Sequence, residues 1–67
     1  MANETEDGVE ELTVEFVQER ETKNTVRFQE QESPRGDPPV IGTLYLQKWA
    51  LRRLGNPERV SVIVRRA

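Results

Sequence analysis

Residues 40–64, VIGTLYLQKWALRRLGNPERVSVIV, decide the fold of this chain, because they hold its most apolar run and its clearest helix ending. The run at residues 40–46, VIGTLYL, has the length and apolar content of a central strand that is buried in part on both faces. A glycine inside a strand marks a bulge or a close backbone approach, and Gly42 predicts one of these here.

A short helix is predicted after this strand. Residues 47–54, QKWALRRL, are good helix formers, and Gly55 followed by Pro57 is typical of a helix that stops. A helix of two turns is marginal alone, so we expect it to pack against the sheet. Its apolar stripe is expected to consist of Ala50, Leu51 and Leu54.

Alternating apolar residues predict three further strands. Val60, Val62 and Val64 recur at every second position and predict a last strand with one buried face. Upstream, residues 12–16 and residues 25–30 alternate in the same way and predict a β-hairpin.

The register of this hairpin follows from parity. Its four main apolar residues all occupy even positions, so they share a face only if paired positions sum to an even number. A loop of odd length meets this condition, and residues 22–24 supply three residues. We expect Asn24 to adopt the left-handed conformation that such loops usually need. The four apolar residues are Val14, Phe16, Val26 and Phe28.

Together these elements predict one small domain over residues 11–67. The order β-β-β-α-β indicates an α+β fold with a small antiparallel sheet and one short helix. Residues 31–39, QESPRGDPP, hold three of the four prolines and predict a turn or mobile loop. Residues 1–10 are acidic and polar and predict a disordered tail.

The composition argues against catalysis. The 67 residues include no cysteine and no histidine, which removes disulfides, thiolate and imidazole metal ligands and the usual general base. The sequence shows no phosphate-binding glycine loop, nucleophile motif or EF-hand spacing. We expect a protein that is not an enzyme, with no catalytic residue, cofactor, metal site or small-molecule substrate.

The length and hydropathy predict a soluble cytoplasmic protein. No apolar stretch approaches the roughly 20 residues that a membrane helix needs, so no membrane partner is expected. The acidic N-terminus is unlike a secretory signal. A chain this short buries only about 60% of its unfolded surface. Its core is therefore thin, and a homodimer would be a natural supplement.

Charge divides the chain into two halves. Residues 1–32 carry ten acidic and three basic side chains, net −7, whereas residues 33–67 carry two acidic and seven basic, net +5. Such asymmetry points to nucleic-acid or partner binding, and arginine in particular contacts phosphates and stacks on bases. The candidate nucleic-acid-binding residues are Lys48, Trp49, Arg52, Arg53, Arg59, Arg65 and Arg66.

The alternative is that these cations pair with the acidic hairpin inside one fold. Exposed ion pairs of this kind contribute about 0–1 kcal/mol each, so they would orient the two halves rather than hold them together. The acidic residues available are Glu15, Glu19, Glu21, Glu30 and Glu32.

Trp49, the only tryptophan, lies beside the centre of the apolar helix stripe. Its size favours burial in the core of the monomer. The alternative is a dimer contact or a ligand platform, because an off-stripe tryptophan in a small protein suits either.

The stretch at residues 40–64 resembles AbrB-type DNA-binding modules, including MazE-like antitoxins. Residues 43–48, TLYLQK, resemble the strand that leads into the helix of that family. Leu54 and Gly55 occupy the positions of its helix-ending Leu-Gly, and Pro57 that of its following proline. The resemblance implies an intertwined homodimer that binds DNA through basic residues on strands and loops.

The resemblance covers about 25 of the 67 residues. The chain departs from the family pattern at Gln47, where the family usually has proline before the helix-opening lysine. Pro38 and Pro39 stand where the family commonly has Gly-Arg, and the N-terminal hairpin lies outside the resemblance.

Two functional hypotheses therefore remain open. One is a small nucleic-acid-binding module, a homodimer whose basic half contacts phosphates. The other is a protein-interaction or accessory module that uses a sheet edge or the Trp49 helix and binds no nucleic acid. Arginines that are clustered and unpaired on one surface favour the first, and arginines interleaved with the hairpin glutamates favour the second.

Overall fold

The computed structural model describes residues 8–67 and contains four strands and one helix in this part of the chain. They are β1 (Glu11–Glu21), β2 (Thr25–Glu30), β3 (Thr43–Gln47), α1 (Lys48–Arg53) and β4 (Arg59–Arg65). The strands form one antiparallel, curled sheet in the spatial order β3-β2-β1-β4. The predicted element order is confirmed, and a small sheet with one short helix matches the α+β description.

The core lies on one face of the sheet, where the strands present their even-numbered apolar residues. Phe16 and Phe28 are both 0% exposed and form its centre. Val14, Val26 and Leu51 of α1 complete the buried set. The two outer strands contribute residues that are only half-buried against this core, namely Leu44, Leu46, Val60 and Val62.

A β-bulge in β1 sets the register of the hairpin. Gln18 lies opposite Phe28, but Arg20 lies opposite Arg27, so Glu19 is the extra residue. Paired positions sum to an odd number between the bulge and the turn, and to an even number beyond it. The even sum that places the apolar residues of β1 and β2 on one face is therefore confirmed, but the bulge produces it and the turn length does not.

Residues 22–24 lie between the two strands as predicted, but Glu21 lies opposite Val26, so the loop has an even length and the predicted odd length is wrong. The left-handed conformation expected for Asn24 is also wrong. Asn56 is the one non-glycine residue with a positive φ in residues 8–67. The Thr22 N–H donates to the Thr25 carbonyl oxygen at 2.8 Å, and the Thr25 N–H donates to the Thr22 hydroxyl at 3.0 Å. The hydroxyl accepts the bond that a main-chain carbonyl takes in a regular turn, so the loop closes without a left-handed residue.

The prediction of a central strand at residues 40–46 is wrong in position and extent. β3 begins at Thr43 and is an edge strand that pairs with β2 alone. Gly42 has a φ of 92°, which no extended strand contains, so the chain changes direction there. Val40 and Ile41 are 49% and 38% exposed and belong to the preceding loop. The apolar run at residues 40–46 thus consists of loop residues followed by an edge strand.

The Glu30 carboxylate fixes the loop that leads into β3. It accepts hydrogen bonds from the main-chain N–H groups of Val40 at 3.0 and 3.1 Å, Ile41 at 2.8 Å and Gly42 at 2.8 Å. These bonds lower the pKa of Glu30 below its ordinary value of 4.5, and the bond from Val40 contributes most. We call this contact the Glu30 clamp. The Glu30 N–H also donates to the Gly42 carbonyl oxygen at 2.9 Å. The close backbone approach predicted at Gly42 is not found, because no atom lies within 4 Å of the position that a Cβ would take, and the glycine instead meets the positive φ.

Gly55 stops α1 as the sequence predicts, although the helix ends at Arg53 and Leu54 is its capping residue. Gly55 has a φ of 85°, and its N–H donates to the Arg52 carbonyl oxygen at 3.2 Å. The Asn56 N–H donates to the Leu51 carbonyl oxygen at 2.9 Å, which completes a Schellman motif. Leu51 is 3% exposed, but Leu54 is 67% exposed, so the predicted stripe is wrong at Leu54. The helix stops one residue earlier, and the capping residue turns its side chain to solvent.

Residues 48–58 cross the core face from β3 to β4. The crossing is fixed at both ends by main-chain hydrogen bonds to the hairpin. The Lys48 N–H donates to the Asn24 carbonyl oxygen at 2.9 Å, and the Gln18 N–H donates to the Glu58 carbonyl oxygen at 2.8 Å. α1 therefore covers the end of the core face that lies nearest the hairpin turn.

Both edge strands turn a row of main-chain groups away from the sheet. In antiparallel pairing, every second residue bonds to the neighbouring strand, and the bond between Glu30 and Gly42 identifies the bonded row of β3 as the even-numbered one. The main-chain groups of Thr43, Tyr45 and Gln47 therefore point outward. The same alternation in β4 leaves the main-chain groups of four residues pointing outward, namely Arg59, Ser61, Ile63 and Arg65.

The predicted disordered tail, residues 1–10, falls largely on residues 1–7, which lie outside the described residues. Residues 8–10 precede β1, which begins at Glu11.

Candidate nucleic-acid interface

The outer surface of α1 presents an exposed aromatic ring with a guanidinium over it. Because Leu51 is directed into the core, residues on the opposite side of the helix face outward. Trp49 is 57% exposed, so its predicted burial is wrong. The guanidinium carbon of Arg53, one helical turn on, lies 5.7 Å from the centre of the Trp49 ring. This distance is within the range of a cation–π contact.

Arg52 and Arg53 form the basic end of α1. Both are exposed, and neither forms an ion pair with any of the residues 8–67. They occupy the last helical turn, where positive charge is stabilised by the helix dipole. We call Trp49, Arg52 and Arg53 the α1 surface.

Lys48 opens the same helix but is engaged by the hairpin. Its Nζ atom lies 3.2 Å from the Glu21 carboxylate, and the two side chains are 33% and 59% exposed. This is one of the intramolecular pairs that the sequence offered as an alternative to nucleic-acid contact.

The three cations of the C-terminal strand region lie apart from the α1 surface. Arg59 is exposed on the sheet face opposite the core, beside Val17. Arg65 on β4 lies opposite Glu11 on β1, with 4.0 Å between their charged atoms. Arg66 follows the end of the strand and is exposed. Arg59 and Arg65 are separated by about 20 Å along a strand of this length.

The structure therefore brings together four of the seven predicted residues and separates the other three. α1 carries Lys48, Trp49, Arg52 and Arg53, whereas Arg59 and Arg65 lie at the two ends of β4 and Arg66 follows it. Arginines that are clustered and unpaired are expected to favour nucleic-acid contact. Within residues 8–67, the α1 surface has such arginines. Lys48 and Arg65 instead meet the condition for intramolecular pairing.

Sequence reasoning missed two arginines in the acidic half. The bulge places Arg20 directly opposite Arg27 on the sheet face away from the core, and Tyr45 lies across from Arg27 on β3. The Arg27 Nε atom lies 3.0 Å from a Glu19 carboxylate oxygen, although its N–H is not directed at that oxygen. The contact is therefore ionic. The net charge of the N-terminal half concealed these residues, and the parity of β1 and β2 would have placed Arg20 and Arg27 on opposite faces, so no sequence signal indicated that they meet.

Two absences among the described residues concern metal ligands and membrane-spanning helices. No group of three or more metal-ligating side chains occurs among residues 8–67. No helix in this part of the chain combines the length and the apolar content needed to cross a membrane.

Comparison with known proteins finds no family model, no curated protein and no solved structure that matches this chain. The strand–helix–strand order that carries the resemblance to AbrB-type modules is present at residues 43–65. Since this order does not by itself identify a family, the resemblance stays a prediction.

Proposed function

We propose that this protein is a small, non-enzymatic binding module that holds single-stranded nucleic acid on the α1 surface. The observation that carries the proposal is the exposed Trp49 ring with Arg53 over it, beside a second arginine that is free of acidic partners among the described residues.

Two complementary interactions support this function. An unstacked base gains about 1–3 kcal/mol by stacking on an aromatic side chain, and a tryptophan that is more than half exposed offers such a platform. Arg52 and Arg53 supply guanidinium groups that contact phosphates bidentately. Single strands are favoured over duplexes because their bases are free to leave the stack.

The other cations have secondary roles in this proposal. Arg59 and Arg66 add long-range attraction for the phosphate backbone from other parts of the surface. Lys48 and Arg65 would contribute after exchange of their glutamate partners. The cytoplasmic location is part of this proposal and rests on the sequence. The AbrB-like resemblance implies DNA binding through strands and loops, so it agrees with this proposal in the class of ligand and not in the site.

The test is a fluorescence anisotropy titration of labelled single-stranded and double-stranded DNA at two salt concentrations, with Trp49 emission recorded in parallel. We expect micromolar or tighter binding to the single strand, weaker binding at the higher salt concentration, and quenched Trp49 emission. Replacing Trp49 with alanine is expected to weaken binding by about 1–3 kcal/mol, the contribution of one stacked base.

A matched pair of double variants separates the α1 surface from general positive charge. R52A/R53A and R59A/R66A each remove two exposed arginines that lack ion pairs with the described residues. We expect R52A/R53A to reduce the salt slope by about 0.7 for each phosphate that the protein no longer neutralises, and R59A/R66A to reduce it less. Equal effects of the two variants, or no binding at low salt, would exclude the α1 surface as the site.

A second candidate function, a protein-interaction or accessory module, is supported by the two open sheet edges. An extended segment of a partner can add as a further strand to such an edge. The same titration distinguishes the two functions, because absence of DNA binding at low salt leaves the protein-interaction candidate alone.

A further inference from the structure

β3 presents outward-pointing main-chain groups without any charge to protect them. Residues 38–47, PPVIGTLYLQ, form the longest uncharged run in a chain in which 33% of residues are charged. Natural sheets usually protect an open edge with charged side chains, prolines or bulges along the strand. Here the prolines precede β3 and Lys48 follows it, so the strand itself is unprotected.

The other edge strand is protected against a second copy of itself. If β4 paired antiparallel with another β4 about Val62, Arg59 would lie opposite the partner's Arg65 on the same face. Like charges placed directly opposite each other destabilise such a pairing. Self-association through β4 in this register is therefore disfavoured by the side chains at both of its ends.

We propose that β3 is the interface of a homodimer, in which a second copy of the chain pairs antiparallel with it about a two-fold axis at Tyr45. The sequence of β3, TLYLQ, is nearly symmetric about that residue. In this register Leu44 lies opposite the partner's Leu46, and Thr43 lies opposite the partner's Gln47. The outward main-chain groups of the two strands form about six hydrogen bonds, and the interface is self-complementary.

The dimer would also bury the leucine side chains of β3, which are only half-buried in the monomer. Leu44 and Leu46 pack against the core but are only half-buried, at its rim. The partner's leucines would cover their open side and extend one apolar layer across eight strands. A short chain with a thin core gains stability from such an extension. The inference is independent of nucleic-acid binding, because it uses the edge of β3 and not the α1 surface.

Matched charge insertions at the two edges test the proposal. Tyr45 and Ile63 are 52% and 58% exposed, and each lies at an outward-pointing position of an edge strand. Sedimentation equilibrium over a concentration series should give the wild-type protein twice the 7.8 kDa mass of the chain. Y45K places two lysines at the two-fold axis and should halve the mass, whereas I63K should leave the dimer intact. Circular dichroism confirms that each variant is folded.

Two outcomes would overturn the proposal. One is a wild-type protein that sediments as a monomer at every concentration. The other is a dimer that I63K dissociates and Y45K does not, which would assign the interface to β4.

A covalent probe gives a positive signal for the same geometry. The chain has no cysteine, so a single introduced cysteine is unique. Paired residues at the two-fold axis have Cα atoms about 5.5 Å apart, within the range that a disulfide spans. Under mild oxidation, Y45C should form a covalent dimer much faster than I63C. Equal rates for the two variants would contradict pairing through β3.

Discussion

The two edge strands differ in side chains although their main chains offer the same pattern of groups. β3 and β4 both end the sheet, and both direct the odd-numbered main-chain groups outward. β4 carries Arg59 and Arg65 at its ends, whereas β3 carries no charge. In the proposed dimer, exposed main chain alone does not make a docking edge, because the charges on each strand would determine which edge accepts a second copy.

The attachment of the two edges to the sheet differs as well. β3 pairs through five residues, and the Glu30 clamp holds the loop before it. β4 pairs through seven residues, and the Ser61 hydroxyl donates to the Glu15 carboxylate at 2.7 Å. The attachment of β3, the shorter strand, therefore depends more on the Glu30 clamp, which is not one of the main-chain hydrogen bonds between β2 and β3.

Loss of a central phenylalanine should reduce the free energy of unfolding more than any other change. The reduction should be similar on the β3 side and on the β4 side. Phe28 lies opposite Leu44 of β3, and Phe16 lies opposite Val60 of β4. Replacing either with alanine is expected to cost about 3–5 kcal/mol. That loss is close to the whole stability of a domain this small. Urea unfolding followed by circular dichroism would measure it.

The exposed Ile63→Ala change, expected to stay within about 0.5 kcal/mol, is the control for these core variants. If one phenylalanine variant kept half of its amides protected in hydrogen exchange, the sheet would consist of two separable halves. That result would contradict the view that β3 and β4 are two edges of a sheet with a single core.

Removing the Glu30 clamp should affect β3 selectively. Glu30→Ala is expected to cost about 1.5–3 kcal/mol, because hydrogen bonds to a charged acceptor are removed. Glu15→Ala is the matched change beside β4 and should cost about 0.5–1.5 kcal/mol, since it removes one side-chain hydrogen bond. Hydrogen exchange should show faster opening at Thr43–Gln47 in the Glu30 variant only. Similar opening of both edges would contradict a local clamp.

The Glu30 clamp also predicts a pH dependence. The pKa of Glu30 is lowered from its ordinary value of 4.5 in the folded protein, so its ionised form stabilises the fold. This stabilisation is fully present above pH 4.5 and is lost as the pH falls through the folded-state pKa. The difference in unfolding free energy between wild type and Glu30→Ala should shrink in the same range. A constant difference down to low pH would exclude the carboxylate as the source.

A substitution in the connection between the edges should have an intermediate effect. Gly55 has a φ of 85°, and Gly55→Ala is expected to cost about 1–2 kcal/mol because alanine is strained in this conformation. Asn56, with a φ of 53°, is the control, and Asn56→Gly should be neutral or slightly stabilising. Thermal unfolding would measure both variants. Equal destabilisation would mean that side-chain contacts, and not backbone strain, matter at this turn.

The exposed ion pairs should have the smallest effect. Lys48 with Glu21 and Arg65 with Glu11 connect the basic half to the hairpin, on the β3 and β4 sides respectively. Double-mutant cycles are expected to give about 0–1 kcal/mol for each, with a smaller value for the longer and more exposed Arg65 pair. Raising the salt concentration should reduce both values. A coupling well above this range would show that charge holds the edges in place.

Sequence patterns located the strands because burial of one face imposes a period of two. The four apolar residues expected to share the core face do so, and Gly55 ended the helix as expected because the Schellman geometry needs a positive φ. The shared face and the helix end are determined by residues that are close in sequence, so the sequence pattern predicts them. The central position assigned to residues 40–46 failed because strand order depends on distant pairing, which the apolar content of one segment does not encode.

The candidate site was predictable in composition but not in arrangement. The charge division identified Arg52 and Arg53, yet pairing of Lys48 with Glu21 depends on how the crossing meets the hairpin. The exposure of Trp49 likewise depends on which side of α1 faces the core, and Leu51 alone takes that place. Arg20 and Arg27 meet only because of the bulge at Glu19.

The bulge at Glu19 has a consequence for changes in chain length. Deleting one residue from a β-strand normally turns every later side chain to the opposite face. At this position the deletion would instead convert the bulge into regular pairing, with Phe16 and Phe28 still on the same face and the threonine turn intact. The hairpin therefore holds one residue that it can lose, and natural relatives shorter by one residue are expected to have lost it there.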